Sequence, residues 1–137
     1  MRRFLIYNPH GIGDVLFTTP LVRALRGAFP EARIGYLCNR RVEGLVRTNP
    51  RVDHVFVFEK DECRSLWKKS PAESLWKFLL FLREIQQFHF DTLVDFSLNW
   101  HASFFASLLG IRSRIGFDFR HRGRFLTERL YLEGFED

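Results

Sequence analysis

Short apolar runs alternate with helix-forming segments, and this alternation limits the fold more than any other feature. We predict strands at RFLIY (3–7), RIGYL (33–37), VDHVFVF (52–58), DTLVDFSL (91–98) and RIGF (114–117). Strands that are apolar throughout are typical of a sheet covered on both faces, and strict strand–helix alternation requires parallel strands joined by right-handed crossovers. The pattern predicts an α/β fold: a doubly wound, mainly parallel, Rossmann-like sheet of five or more strands.

The segments between these runs carry helical periodicity. Helices are expected at 14–29, 41–48, 72–88 and 101–110, and the polar stretch 59–71 is expected to be a loop. Pro20 either kinks the first helix or lies in its first turn, with Thr18 or Thr19 as the cap. The segment FLTERLYL, near the end of the chain, fits either a helix or a strand.

Size and composition bound the class of protein. The chain has 137 residues and is 46% hydrophobic, which suits one domain spanning 1–137. No uncharged apolar stretch of about 18 residues is present, and the apolar run at the start is too short for a signal peptide. We therefore expect a cytoplasmic protein. Cys38 and Cys63 are expected to be reduced, and no spacing of ligands predicts a metal site.

Much of the net charge of +5 is local. In RSRIGFDFRHRGR, residues 112–124, five arginines accompany one aspartate. Such a run is usually a solvated basic face, but it also suits nucleic acid, anionic lipid or a phosphorylated sugar. Composition does not choose among these alternatives.

Ligands of open α/β sheets bind outside the carboxyl ends of the strands. This rule places 8–14, 38–41, 97–101 and the loop after Phe117 at one edge. The first segment, NPHGIGD, holds Gly11 and Gly13 but has Leu16 where a dinucleotide fingerprint needs a third glycine, and a P-loop motif is absent. Asp14 either caps the following helix or is a catalytic carboxylate; the chemistry alone favours neither.

Three segments together carry a resemblance to a known family. GIGDVLFTTPLVRALRGAFPEARIGYL, NPRVDHVFVF and FDTLVDFSLNWHASFFASLLGIRSRIGF resemble, in order, the N-terminal domain of the ADP-heptose:lipopolysaccharide heptosyltransferases of glycosyltransferase family 9. These are inverting GT-B enzymes. The resemblance implies that Asp14 is the general base on the acceptor hydroxyl. It also implies a nucleotide-sugar such as ADP-heptose as donor substrate, with no separate cofactor.

A GT-B enzyme needs two Rossmann-like domains, and the resemblance covers the first. It implies an acceptor-side half-site that is inactive or incomplete alone, completed by a separately encoded donor domain or left as a truncated product. We therefore expect an exposed apolar patch at the edge where the second domain would dock. The acceptor would be an anionic lipid-linked sugar.

We assign acceptor binding to the loop glycines and to four arginines that the predicted fold places near the same edge. These residues are Gly11, Gly13, Arg40, Arg41, Arg120 and Arg122. The alternative is a non-catalytic basic module that binds an anionic glycolipid or nucleic acid. Nucleic acid is the weaker choice, because no known motif or interleaved aromatic pattern accompanies the arginines.

The helix at 72–88 is apolar almost all round. It is either a crossover helix buried against the sheet or a segment that contacts a membrane surface, with Trp67, Lys68 and Lys69 just before it.

Overall fold

A computed structural model describes residues 2–97, 100–117 and 126–130 of the chain. Six strands form one sheet: β1 (Arg3–Tyr7), β2 (Arg33–Cys38), β3 (His54–Val57), β4 (Thr92–Asp95), β5 (Ser113–Phe117) and β6 (Glu128–Leu130). Their order is β3-β2-β1-β4-β5-β6 and every pairing is parallel. The predicted α/β doubly wound sheet is confirmed, and within FLTERLYL the residues of β6 form a strand.

The helices connect these strands in the expected sequence. They are α1 (Ile12–Ala28), a 3-10 turn at Arg40–Val42, α2 (Glu43–Arg47), α3 (Lys60–Lys69), α4 (Pro71–Gln86) and α5 (His101–Leu108).

The prediction of a loop over 59–71 is wrong, because most of this segment is α3. The helix has no buried residue and therefore lacks the apolar stripe by which helices are predicted. Its charges instead follow the helix dipole, with Asp61 and Glu62 in the first turn and two lysines in the last. It also rests on α4, where the Ser74 hydroxyl donates to the Cys63 carbonyl at 3.2 Å.

The first helix begins earlier than either placement of Thr18 or Thr19 as cap allows. It starts at Ile12 and runs through Pro20, which lies inside it. Proline has no N–H to give to the carbonyl of Leu16. The helix is held despite this loss because Val15 and Val22 are buried against the sheet.

Successive residues of β1 point to opposite faces and build two cores. Phe4 and Ile6 pack with Val22 of α1 and Val46 of α2 on one face. Leu5 packs with Ile85 and Ala106, from α4 and α5, and with other residues on the second face. The sheet is thus covered on both sides, as the uniformly apolar strands predict.

The strand order reverses between β1 and β4. From β1 the chain proceeds outward to β2 and β3, and from β4 it proceeds outward in the opposite direction to β5 and β6. The loops that follow β1 and β4 therefore diverge at the carboxyl edge. In this fold that reversal marks the crevice where ligands bind.

Candidate active site at the carboxyl edge of the sheet

Asp14 lies at this edge, in the first turn of α1 and seven residues after the last residue of β1. Its side chain is exposed. The N-cap of α1 is Gly11, with no side-chain hydrogen bond, so the interpretation of Asp14 as the capping residue is wrong. Its negative charge still complements the positive end of the helix dipole. The carboxylate is available to a ligand approaching the crevice.

The two loop glycines leave open space beside this carboxylate. A Cβ built at Gly11 or Gly13 meets no other described atom within 4 Å. Gly11 has φ −81°, which other residues adopt readily, so a tight turn does not require glycine there. Packing within the described chain therefore does not require glycine at either position.

A buried polar network fixes the start of the loop. Asn8 is 1% exposed, and its amide donates to the Tyr36 hydroxyl at 3.3 Å. The Thr18 hydroxyl of α1 lies 2.7 Å from the same Tyr36 oxygen. Burial raises the pKa of Tyr36, so this hydroxyl stays protonated and can donate as well as accept. The network ties β1, β2 and α1 together below the catalytic candidate.

Asn39 joins the loop after β2 to the loop after β1. Its amide donates to the carbonyls of Pro9 and His10, each at 3.1 Å, while its side-chain oxygen caps the 3-10 turn by accepting from the Val42 N–H. Because one side chain fixes both loops, the backbone that carries Asp14 is held from two neighbouring strands.

His10 bridges the crevice itself. Its Nε2 lies 2.9 Å from the carbonyl oxygen of Phe96, which follows β4. The loops on either side of the strand-order reversal are therefore linked directly, and the distance between them is fixed.

Asp95 ends β4 below this bridge and is 4% exposed. Its carboxylate accepts from the Ser97 N–H at 2.8 Å and from the Ser103 hydroxyl at 3.4 Å. Burial raises the pKa of Asp95 above the usual carboxyl range, and these donors offset that effect only in part. Burial, and then the charge of Asp95, also raises the pKa of neighbouring Tyr7 to about 12.

Two of the four arginines predicted to bind the acceptor lie at the carboxyl edge of the described chain. Arg40 is at the edge, but its guanidinium forms a forked pair with Glu62 of α3, at 3.1 and 2.9 Å. Arg41 is exposed beside it. Arg120 and Arg122 lie outside the described residues, as does most of the arginine-rich run. Of the predicted acceptor ligands, Gly11, Gly13, Arg40 and Arg41 are thus brought to one edge.

Large apolar side chains are exposed on α1, the helix that carries Asp14. Ile12, Leu16 and Phe17, all in the first half of α1, are 58%, 54% and 84% exposed. Several large apolar side chains exposed on one helix are typical of an interaction surface.

Asn8, Asn39 and Asp95 are structural members of the site that the sequence analysis missed. Each is a polar residue at or directly after the end of an apolar strand. This position at the end of a strand is visible in the sequence, but the burial of the side chains is not.

Other chemistry is limited in the part of the chain that the structure describes. Both cysteines are free thiols, and burial raises the pKa of Cys38 to about 11. No three His, Cys, Asp or Glu side chains in that part lie together as a metal ion would require. None of its helices combines the length and the apolar character that crossing a membrane demands.

The sequence of this chain is similar to that of a known heptosyltransferase. Lipopolysaccharide heptosyltransferase 3 of Escherichia coli is 23% identical over 110 residues, which is 80% of this chain and 31% of that protein. The chain resembles the heptosyltransferases. No protein-family model matches it.

Solved structures of heptosyltransferases share the fold. The chain superposes on E. coli ADP-heptose LPS heptosyltransferase II with a TM-score of 0.73 and 19% identity, over 97% of this chain and 35% of that one. E. coli heptosyltransferase WaaC with ADP-2-deoxy-2-fluoro heptose superposes with a TM-score of 0.76 and 18% identity, over 94% of this chain and 42% of that one. A family 9 glycosyltransferase from Veillonella parvula superposes with a TM-score of 0.73 and 23% identity, over 96% of this chain and 36% of that one. The chain thus spans between about a third and two-fifths of these heptosyltransferase-like proteins.

Proposed function

We propose that the chain is the acceptor-binding part of an inverting, heptosyltransferase-like glycosyltransferase that acts in lipopolysaccharide core assembly. The observation that carries the proposal is the exposed carboxylate of Asp14, at the carboxyl edge beside the strand-order reversal. The donor would be a nucleotide-sugar of the ADP-heptose class, and the acceptor an anionic lipid-linked sugar.

In the proposed reaction Asp14 is the general base. Its carboxylate accepts the proton of an acceptor hydroxyl while that oxygen bonds to the anomeric carbon of the donor. The bond from this carbon to the diphosphate breaks, and the configuration inverts. A base held within hydrogen-bond reach contributes about 10²–10⁴-fold to such a step. Charge on the departing diphosphate must be met by cations or N–H donors, and we assign these to a donor domain.

The same edge offers contacts for the acceptor. The backbone at Gly11 and Gly13 is open to a sugar, and Arg41 is exposed for an anionic group. Arg40 would contribute by exchanging Glu62 for the acceptor, since both partners of that pair are more than half exposed. Arg120 and Arg122 complete the proposed set from outside the described residues.

The donor domain would dock on the apolar patch of α1. Phe17 lies one helical turn from Asp14, and Ile12 and Leu16 are exposed on the same half of α1, so a domain seated on this half of the helix would reach the carboxylate and exclude water. We propose that the chain is inactive without that domain.

We also propose peripheral contact with a membrane surface through α3 and α4. Their exposed side chains include Trp67, Leu75, Trp76, Leu79 and Leu80, with Lys68 and Lys69 next to the first of them. Aromatic and basic side chains in this combination suit the interface of an anionic membrane, where a lipid-linked acceptor resides.

The test is to fuse the chain to the part of E. coli heptosyltransferase 3 that it does not cover, and to follow sugar transfer from ADP-heptose to lipopolysaccharide. We expect the fusion to be active and Asp14→Asn to lower its turnover by about 10²–10⁴-fold. Glu31→Gln, an exposed carboxylate just before β2 at the other edge, is the matched control and keeps full turnover. Full activity of Asp14→Asn would remove Asp14 from the chemical step, whereas a folded fusion that binds the acceptor but transfers no sugar would favour the alternative of a non-catalytic basic module.

A further inference from the structure

An apolar cavity of the described chain lies on the face of the sheet opposite α1. Its volume is about 460 Å³, within the usual range of small-molecule sites. Leu5, Leu37 and Leu93 form its floor, and Phe81 of α4 and Phe105 of α5 form its walls. None of these residues belongs to the proposed sugar site.

Aromatic rings line the cavity on the side away from the sheet. Phe78 and Phe105 are in T-shaped contact, with ring centroids 5.1 Å apart, and Phe58 leans on Phe81 at 5.4 Å. A cavity floored by leucines and walled by rings suits a flexible apolar chain.

Polar groups lie only at the end of the cavity that meets the carboxyl edge. They include Lys60, at the start of α3, and His101, at the start of α5. Both helices thus direct the positive end of their dipole toward the mouth, in addition to the lysine charge. Among the described residues no carboxylate lines the cavity. Lys60 also borders a neighbouring depression, where three carboxylates (Glu59, Asp61, Glu62) lie together with Arg40 and Arg41.

From this arrangement we infer that the cavity binds a single-chain anionic amphiphile of the fatty-acid class, with its acyl chain on the leucine floor and its acidic head at Lys60. The inference does not depend on the transfer reaction. It adds to the chain a lipid-binding site on the second face of the sheet.

The test is calorimetric titration of the 137-residue chain with saturated fatty acids of increasing length, below their micelle concentrations. We expect one saturable site whose affinity rises about fourfold per added methylene, until the chain fills the cavity, after which the gain stops. A lysophosphatidate with the same acyl chain distinguishes a membrane-derived ligand from a free fatty acid: binding of both assigns the site to the shared acyl and anionic groups.

Two variants separate the cavity from the surface. Ala102→Phe places a ring in the cavity and should weaken dodecanoate binding at least tenfold, whereas Leu108→Phe, on the exposed side of the same helix, should not. Lys60→Met should weaken dodecanoate but not dodecanol, and Lys77→Met, outside the cavity, should change neither. Circular dichroism verifies that each variant is folded.

The inference is overturned by the absence of saturable binding in the wild-type chain. It is equally overturned if folded Ala102→Phe binds dodecanoate as well as wild type, or if the outer-face controls weaken binding as much as the cavity variants.

Discussion

At the scale of single residues, the candidate site consists of one exposed carboxylate on a buried polar support. The Asn8 amide donates to the Tyr36 hydroxyl, and the Asn39 amide donates to two loop carbonyls. His10 links the loops across the crevice. Positioning of this kind matters because a base must be held within a fraction of an ångström of its productive place. The sequence identified Asp14, but not the groups that hold its loop.

Asp95 provides a pH-dependent test of that support. Because burial raises its pKa in the folded protein, its contribution to stability is fully present below the unfolded pKa and is lost as the pH rises through the folded pKa. Asp95→Asn cannot ionise, so we expect wild type to lose stability relative to the variant as pH rises from acidic to neutral. Urea unfolding of both proteins over a pH series measures this. A stability difference that is constant with pH would contradict the assignment.

Gly35 of β2 tests the packing on the second face. A Cβ there lies 2.6 Å from Cζ of Phe90 and 3.2 Å from Cε2 of Phe56, and both rings are buried. We expect Gly35→Ala to destabilise the fold by about 1–3 kcal/mol through overpacking. Gly27→Ala, in α1 with no atom within 4 Å of the added Cβ, should instead stabilise by about 0.5–1 kcal/mol. Equal effects of the two changes in chemical denaturation would count against the described packing.

At the scale of helices and strands, prediction succeeded where burial imposes a pattern. The strands carry long apolar runs, and their order with the helices between them predicts the α/β class. The apolar run of α4 predicted that helix but not its surroundings, because only Ser74 and Ile85 of it are buried. Prediction failed for α3, whose side chains are held by charge and by contact with α4 rather than by a buried stripe. For α1 the sequence left open whether the helix includes Pro20 or begins at Thr18 or Thr19; the burial of Val15 and Val22 keeps Pro20 inside the helix. For the candidate site, the position of a residue at the edge of the sheet could be predicted from the sequence. Its buried hydrogen-bond partners could not, because they depend on contacts between distant segments.

Pro20 should therefore lower the stability of the helix that carries it. Pro20→Ala restores a donor to the Leu16 carbonyl, and we expect a gain on the order of 1–3 kcal/mol in the free energy of unfolding. Pro71→Ala is the matched control: Pro71 begins α4, where proline costs little, and its replacement should be nearly neutral. A loss of stability in Pro20→Ala would show that the proline is required by contacts of α1 and not merely tolerated.

At the scale of the whole molecule, the chain presents two distinct surfaces. The carboxyl edge offers Asp14 with the apolar patch of α1, and the far face of α4 offers tryptophan and leucine side chains. We assign the first to a donor domain and the second to a membrane. Both assignments rest on large side chains that the described chain leaves uncovered.

Phe17 is the sharpest probe of the docking surface, because it is 84% exposed. Phe17→Ser should leave the stability of the isolated chain within about 0.5 kcal/mol of wild type. When the chain and a donor domain are mixed as separate polypeptides, the same change should weaken their association, measured by calorimetry, at least tenfold. Leu108→Ser, at a position 65% exposed at the end of α5, is the control. Unaltered association of Phe17→Ser would place the docking surface elsewhere.

The central claim is that Asp14 acts on the chemical step and not on acceptor binding. The most direct measurement is the steady-state kinetics of the fused two-domain enzyme with and without Asp14→Asn, as a function of acceptor concentration. The account predicts that kcat falls by at least two orders of magnitude while KM for the acceptor changes little. An increase in KM with kcat preserved would make Asp14 a binding group and contradict the account.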